Sequence, residues 1–388
     1  MTLRENVNAI LHYKTYETMP IIHFGFWTET LLKWASEGHI NRDEAISWTD
    51  RSEADISIGK KLGFDFSWSQ TFKPCYNLNP PFPRTILEEK DDGTMKLINE
   101  DGVVVIEKRG VVSIPTEVDH FFKGRKEWDE EFKEKLQYSA QRYLNSPVPA
   151  KDCMLTLNKG GMVYLLDRDN RKTPLGLHGG SLLGFIRNFV GVENLSYLTV
   201  DDPDLLQEMI DTVGDLNYRV IESVLKTGAQ FDYLHFWEDI CFKNGPLVNP
   251  ALFEESVGPH YKKITDLAAS YGIDIISVDC DGLVDKLLPI WLENGVNTMF
   301  PIEVGTWNAS IAPWREKYGK DIKGVGGMNK AVFSRDYAAI KEEVERLKPL
   351  VELGGYIPCP DHRIGLDAKW ENVQYYCELM RESFLNDG

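Results

Sequence analysis

The sequence predicts a (β/α)8 barrel with N-terminal helices and an inserted β-meander, and three observations point to it. From Met154 onward, short apolar runs alternate with helical patterns, the order expected of a parallel sheet with its helices outside. Three of those runs deliver an acid or an imidazole at or just beyond their ends: Asp279 and Asp281, Glu303, and His362. Barrel enzymes collect reactive groups at one rim in this way. Finally, 388 residues exceed the roughly 250 of a bare barrel, so insertions or extra terminal helices are expected.

The elements follow in chain order. MTLRENVNAILHYKTYETMP reads as a short amphipathic helix and not as a signal peptide. Up to about Lys73 the chain reads as helices around one strand, IIHFGFW (21–27), with a second strand-like piece, GFDFSW, at 63–68. Residues 83–118 change character. TILEE, TMKLI and VVVIE are separated by Asp-Gly pairs at 92–93 and 101–102, a strong hairpin signal. Charged helices are expected at 126–145. The later strand candidates are MLTL (154–157), TPLGLH (173–178), DYLHFW (232–237), DIISVD (274–279), NTMFPI (297–302), IKGVGG (322–327) and GYIP (355–358). Helices are expected between them at 203–226, 250–270, 283–293 and 335–352. With the strands near 22 and 64 this makes eight or nine barrel strands. No flexible linker or low-complexity segment interrupts them, so 1–388 reads as one domain with the 83–118 meander inside it.

Composition narrows the function. A net charge of −17 argues against nucleic acid and against anionic membranes as partners. No apolar run approaches the ~20 residues of a membrane span, and no GxGxxG or P-loop occurs. The six cysteines are scattered without CxxC spacing, as in a cytoplasmic protein with reduced thiols.

On a strand, Asp279 and Asp281 point to one side and Cys280 to the other. With Glu303 and His362 they make a candidate metal site, or a metal-free acid/base site. The bland alternative is a set of strand-end carboxylates held by salt bridges, with Asp281 an N-cap. Cys280 reads as core, and Cys359 as a weak substitute ligand. Glu238 and Asp239 follow DYLHFW, and Glu238 is a candidate for catalysis and substrate contact; the alternative is that one of the two acids pairs with Lys243 or caps the next loop. His235 and Trp237 share a face of that strand and are candidates for substrate contact; for His235 a satisfied core histidine is the safer reading. His23, Trp27 and Phe66 belong to an aromatic group near the first strands that suits a flat substrate. The glycines at 324–327 suit close backbone approach to a ligand or a tight turn.

Four segments carry a resemblance: FWEDICFKNGPLVNPALFEESVGPHYKKI, DCDGLVDKLLPIWLENGVNTMFPIEVG, GVGGMNKAVF and GGYIPCPDHRIGLDAKWENVQYY. They resemble the uroporphyrinogen decarboxylase superfamily over about residues 170–385, a superfamily of (β/α)8 barrels that includes cobalamin-linked methyltransferases. Decarboxylases of the family carry an arginine-containing carboxylate-binding segment after the first strand. The matching stretch here is HFGFWTETLLKW, without arginine, which turns the resemblance toward the methyltransferase branch. Thiol-methylating relatives hold zinc through His-x-Cys and a later Cys, and a related methionine synthase adds a Glu about twenty residues on. The matching positions here are Asp279, Asp281, Glu303 and His362. The resemblance therefore implies zinc in a harder, more Lewis-acidic setting, suited to polarising an ether oxygen. It implies an aryl-ether O-demethylase component that moves a methyl group from a methoxylated aromatic to the Co(I) corrinoid of a partner protein. It also implies a homodimer as the oligomer to look for. The alternatives are a decarboxylase acting on another substrate, a corrinoid methyltransferase using methanol or a methylamine, and a silent subunit that binds a corrinoid.

Overall fold

The computed structural model describes residues 1–108, 115–150 and 153–384. A parallel barrel is the centre of the fold. Its eight positions in chain order are Ile22–His23, Phe66–Ser67 continuing into Thr71–Phe72, Gly176–Gly180, Tyr233–Trp237, Ile276–Asp279, Thr298–Phe300, Lys323–Met328 and Tyr356–Pro360. Neighbours in sequence are neighbours in the wall: seven strands form one sheet, and Ile22–His23 pairs with Phe66–Ser67. The strands are buried on both faces, as Ile276–Asp279 is throughout, and so read as near-continuous apolar runs.

The helices pack outside, and Pro203–Lys226 shows why each forms where it does. Asp202 caps it by accepting the Leu205 N–H, and Pro203 sits in the first turn, where no N–H is needed. Leu206, Ile210, Val213, Asn217, Val220 and Val224 recur at helical spacing along its buried stripe.

The barrel closes sparsely. Among the described residues the link between the first and last strands is a single bridge, Phe26 with Ile364. Two hydrogen bonds accompany it, Trp27 N–H to Ile364 O at 3.2 Å and Ile364 N–H to Gly25 O at 3.0 Å.

The meander is an antiparallel sheet of Thr85–Glu89, Thr94–Ile98, Val103–Lys108 and Thr116–His120, turning at the expected Asp-Gly pairs. Residues 109–114 of the expected 83–118 span lie outside the described residues. Met95, Leu97, Val103 and Val105 form a small core of their own, apart from the main one.

Three expectations need correction. Met154–Thr156 is not a barrel strand: it pairs antiparallel with Pro147–Pro149 outside the wall. The helix expected at 283–293 begins only at Leu288, because Pro289 can occupy a first turn but not a helix interior. The helices expected at 126–145 break into short pieces, Arg125–Glu127, Trp128–Phe132, Lys133–Leu136 and Gln141–Leu144. Among the described residues no helix is long and apolar enough to cross a membrane. All six cysteines are unpaired.

Candidate active site

At the carboxyl ends of the strands lies a cavity of about 440 Å³, toward the low end of the range for small-molecule sites. Trp27, His235, Trp237, Asp279, Asp281 and His362 line it. Strand alternation explains the acids: Asp279 and Asp281 both face the cavity, while Cys280 is buried behind them beside Cys241.

His362 and Asp281 form a close pair in the lining. His362 Nε2 lies 3.3 Å from Asp281 Oδ2. Asp281 Oδ1 is buried and accepts no hydrogen bond. Aromatic rings set the imidazole. Trp27 stacks on it at 5.7 Å between centroids, and Phe24 meets it edge-on at 5.3 Å. Burial, with neighbouring Asp281 adding, pushes the Asp279 carboxyl well above the usual range, which favours its neutral form.

Two more histidines form the inner wall, 6.0 Å apart and perpendicular. His178 Nδ1 accepts the Gly180 N–H at 2.9 Å, so its neutral ring carries the proton on Nε2. His235 Nδ1 lies 3.1 Å from Ser277 Oγ, which also accepts the Trp68 indole N–H at 3.1 Å. Burial takes His235 down to about 3 and His178 well below the usual value, so both are neutral at neutral pH.

The sequence profile of the uroporphyrinogen decarboxylase (URO-D) family matches residues 172–383, more than half of the chain. The chain belongs to the URO-D family. Among solved structures it is similar to one described as a methyltransferase from Methanosarcina mazei. The identity is 14%, the match covers 99% of each chain, and the TM-score is 0.61, a likeness of fold. A B12-independent methionine synthase from Shewanella sp. W3-18-1, in complex with selenomethionine, also matches, at 10% identity over 94% of this chain and 98% of that one, with a TM-score of 0.44. No curated protein matches.

Several expected site residues in this URO-D chain do other work. Glu238 is fully buried and does not line the cavity. Its carboxylate caps the helix Gly184–Val190, taking N–H groups of Leu182, Leu183 and Gly184, the Ser181 hydroxyl at 3.0 Å and the Tyr261 hydroxyl at 2.7 Å. Burial raises its pKa, and those donors oppose the rise. It does not meet Lys243. His23 is buried against Phe26 and Phe64, its Nδ1 accepting the Gly25 N–H at 3.0 Å. Phe66 packs near Trp68; neither His23 nor Phe66 lines the cavity. Asp281 is no N-cap, since the next helix starts at Leu288. Cys359 is buried and lies outside the lining. The 324–327 glycines serve packing: a Cβ on Gly326, at φ +130°, would stand 2.3 Å from Ile302 N.

The expected four-residue metal shell is not assembled. Glu303 is drawn aside, accepting the Gly282 N–H at 2.5 Å and the Thr306 hydroxyl at 2.8 Å. That turn needs Gly282, whose φ is +85° and where a Cβ would meet Cys241 O at 2.7 Å. Among the described residues no three His, Cys, Asp or Glu side chains converge to hold a metal ion. Among the described residues, Asp281 Oδ1 is a buried oxygen of the site left without a hydrogen bond.

Sequence reasoning missed the cations. Arg51, Lys73 and Arg363 line the cavity, although none comes from the segment after the first strand. Lys73 directly follows Thr71–Phe72. The strand-end rule would have found it had the second barrel position been read to run past Trp68.

Proposed function

We propose that this chain is a methyltransferase that takes the methyl group of a small methoxylated aromatic and passes it to the Co(I) centre of a corrinoid protein. The observation that carries the reading is the Asp281–His362 pair, set among aromatic rings at the mouth of a cavity of about 440 Å³. Trp27, Phe24 and Trp237 offer ring faces and edges to a flat substrate. In the step proposed, the methyl–oxygen bond breaks with both electrons staying on oxygen, and the methyl group forms its new bond with the electron pair of Co(I). The phenolate that departs receives a proton from His362, which Asp281 orients. Buried, neutral His178 and His235 leave that proton to His362. Among the described residues the three protein ligands of a catalytic zinc site do not converge, so the step rests on His362 and Asp281 without a metal.

A second reading is favoured by the cavity cations: decarboxylation of a small acid, with His362 supplying the proton that replaces CO2.

Anaerobic mixing of purified protein with reduced corrinoid, free and protein-bound, and a panel of methoxylated phenols tests the first reading through the absorbance of methyl-Co(III). We expect methylation with the aromatic donors. It should fall by about 10²–10⁴-fold in His362→Gln and Asp281→Asn, both checked for folding by circular dichroism. Stoichiometric zinc in the wild type that both variants lose would replace the proton transfer with Lewis-acid activation. No methylation from aromatic, methanol or methylamine donors, together with CO2 release that needs no corrinoid, would replace this reading with the lyase.

A further inference from the structure

Four carboxylates, Asp50, Asp101, Asp279 and Asp281, and three cations, Arg51, Lys73 and Arg363, line the cavity, but the acids do not pair with all of the cations. Arg363 is engaged: Asp50 accepts from it at 2.9 and 2.5 Å. Asp281 faces His362, and burial disfavours the charged form of Asp279. Arg51 and Lys73 remain. Both line the cavity, and among the described residues neither side chain makes a hydrogen bond or a salt bridge. Asp50 and Asp55 act on Arg51 only through space. Asp50 is held by Arg363, and the Asp55 carboxylate accepts the Trp48 indole N–H and the Arg51 backbone N–H.

Two unpaired cations side by side repel each other and lose hydration, an arrangement that an anion relieves. The effect is visible on Lys73: burial, with Arg51 adding to it, pulls its ammonium down to about 8. Backbone geometry presents Arg51 deliberately. It has φ +66°, a conformation that a long side chain seldom adopts without a reason, just ahead of the helix Glu53–Leu62 that Ser52 caps. Arg51 and Lys73 also line a second cavity, of about 670 Å³, so they stand at the wall the two cavities share.

We infer that Arg51 and Lys73 form an anion subsite that holds a carboxylate of the substrate while its ring lies toward Trp27 and His362. A guanidinium grips a carboxylate through paired donors and an ammonium adds a point charge, so the pair fixes both the acid and the direction of the ring. The ring's identity rests on the methyl-transfer reading; the anion rests on Arg51 and Lys73 alone.

Titrating benzoate, 4-methoxybenzoate and 4-methoxybenzamide into the full-length protein at pH 7, by calorimetry and by the fluorescence of cavity-lining Trp27 and Trp237, tests it. We expect both carboxylates to bind at least about 10-fold tighter than the neutral amide, a difference of about 1.4 kcal/mol. Arg51→Gln and Lys73→Met should each abolish that preference and leave amide affinity in place; Lys73→Arg should keep it. Equal affinity of acid and amide for the wild type overturns the subsite, whether or not the variants fold. So does a preference that survives both substitutions. Benzoate binding with no methyl transfer from any donor retains the subsite and removes the methyl-transfer reading. Demethylation of the amide as efficient as that of the acid does the reverse.

Discussion

His23 shows how surroundings decide the role of a single residue. Its sequence position, at the end of the first strand, is that of a substrate contact. The fold instead buries it and lowers its pKa from 6.5 to about 3. The native ring is therefore neutral while the unfolded chain takes up a proton below about pH 6.5. Native stability is fully present above that pH and is lost as pH falls from 6.5 toward 3, by about 1.4 kcal/mol per pH unit. His23→Gln keeps an acceptor for the Gly25 N–H and removes the titration. The fall in unfolding free energy between pH 7 and pH 5 should shrink by about 2 kcal/mol in this variant, measured by urea denaturation. An unchanged fall would mean that the native ring is protonated after all. Asp279, Asp281 and His362 could be placed together from the sequence because a strand's twofold alternation and its end are sequence properties, whereas for His235 the safer reading from the sequence is the core. Arg51 could not be placed with them, because it enters from a loop whose direction is set by a left-handed backbone that no periodicity encodes.

Glu238 belongs to the scale of elements, since it joins the strand Tyr233–Trp237 to the start of Gly184–Val190. Position alone made it a candidate for the reaction; only the fold brings residues 181–184 onto it, more than fifty positions away in the chain. Glu238→Ala strips several buried donors of their acceptor and should cost about 3 kcal/mol or more. We expect a lower Tm, with kcat retained at temperatures where the variant is folded. A loss of kcat in a folded variant would return Glu238 to the chemistry. Barrel strands were legible for a similar reason: runs such as Ile276–Asp279 are buried on both faces and so carry an unbroken apolar signal. Met154–Thr156 carried the same signal for a different partner. Composition reports that a strand is apolar, not which strand it pairs with.

At the scale of the whole molecule, the meander and the barrel have separate cores. Among the described residues four side chains form the meander's own core, whereas the barrel shares one large cluster with its helices. Local opening follows the local density of apolar burial. Native-state hydrogen exchange should therefore find the Met95, Leu97 and Val105 amides opening at a free energy several kcal/mol below those of Val278 and Val325. Equal protection would mean that the two unfold as one unit.

The sparse link between Phe26 and Ile364 leaves little backbone bonding to keep the barrel shut between its first and last strands. Trp27 and His362 stand on the two sides of that place, so any guest that packs on both is also a clasp. Filling the cavity and keeping the cylinder closed then become one equilibrium. A guest at a hundred times its dissociation constant would add about 2.7 kcal/mol to the closed form, and an empty barrel would breathe first at the wall its substrate touches.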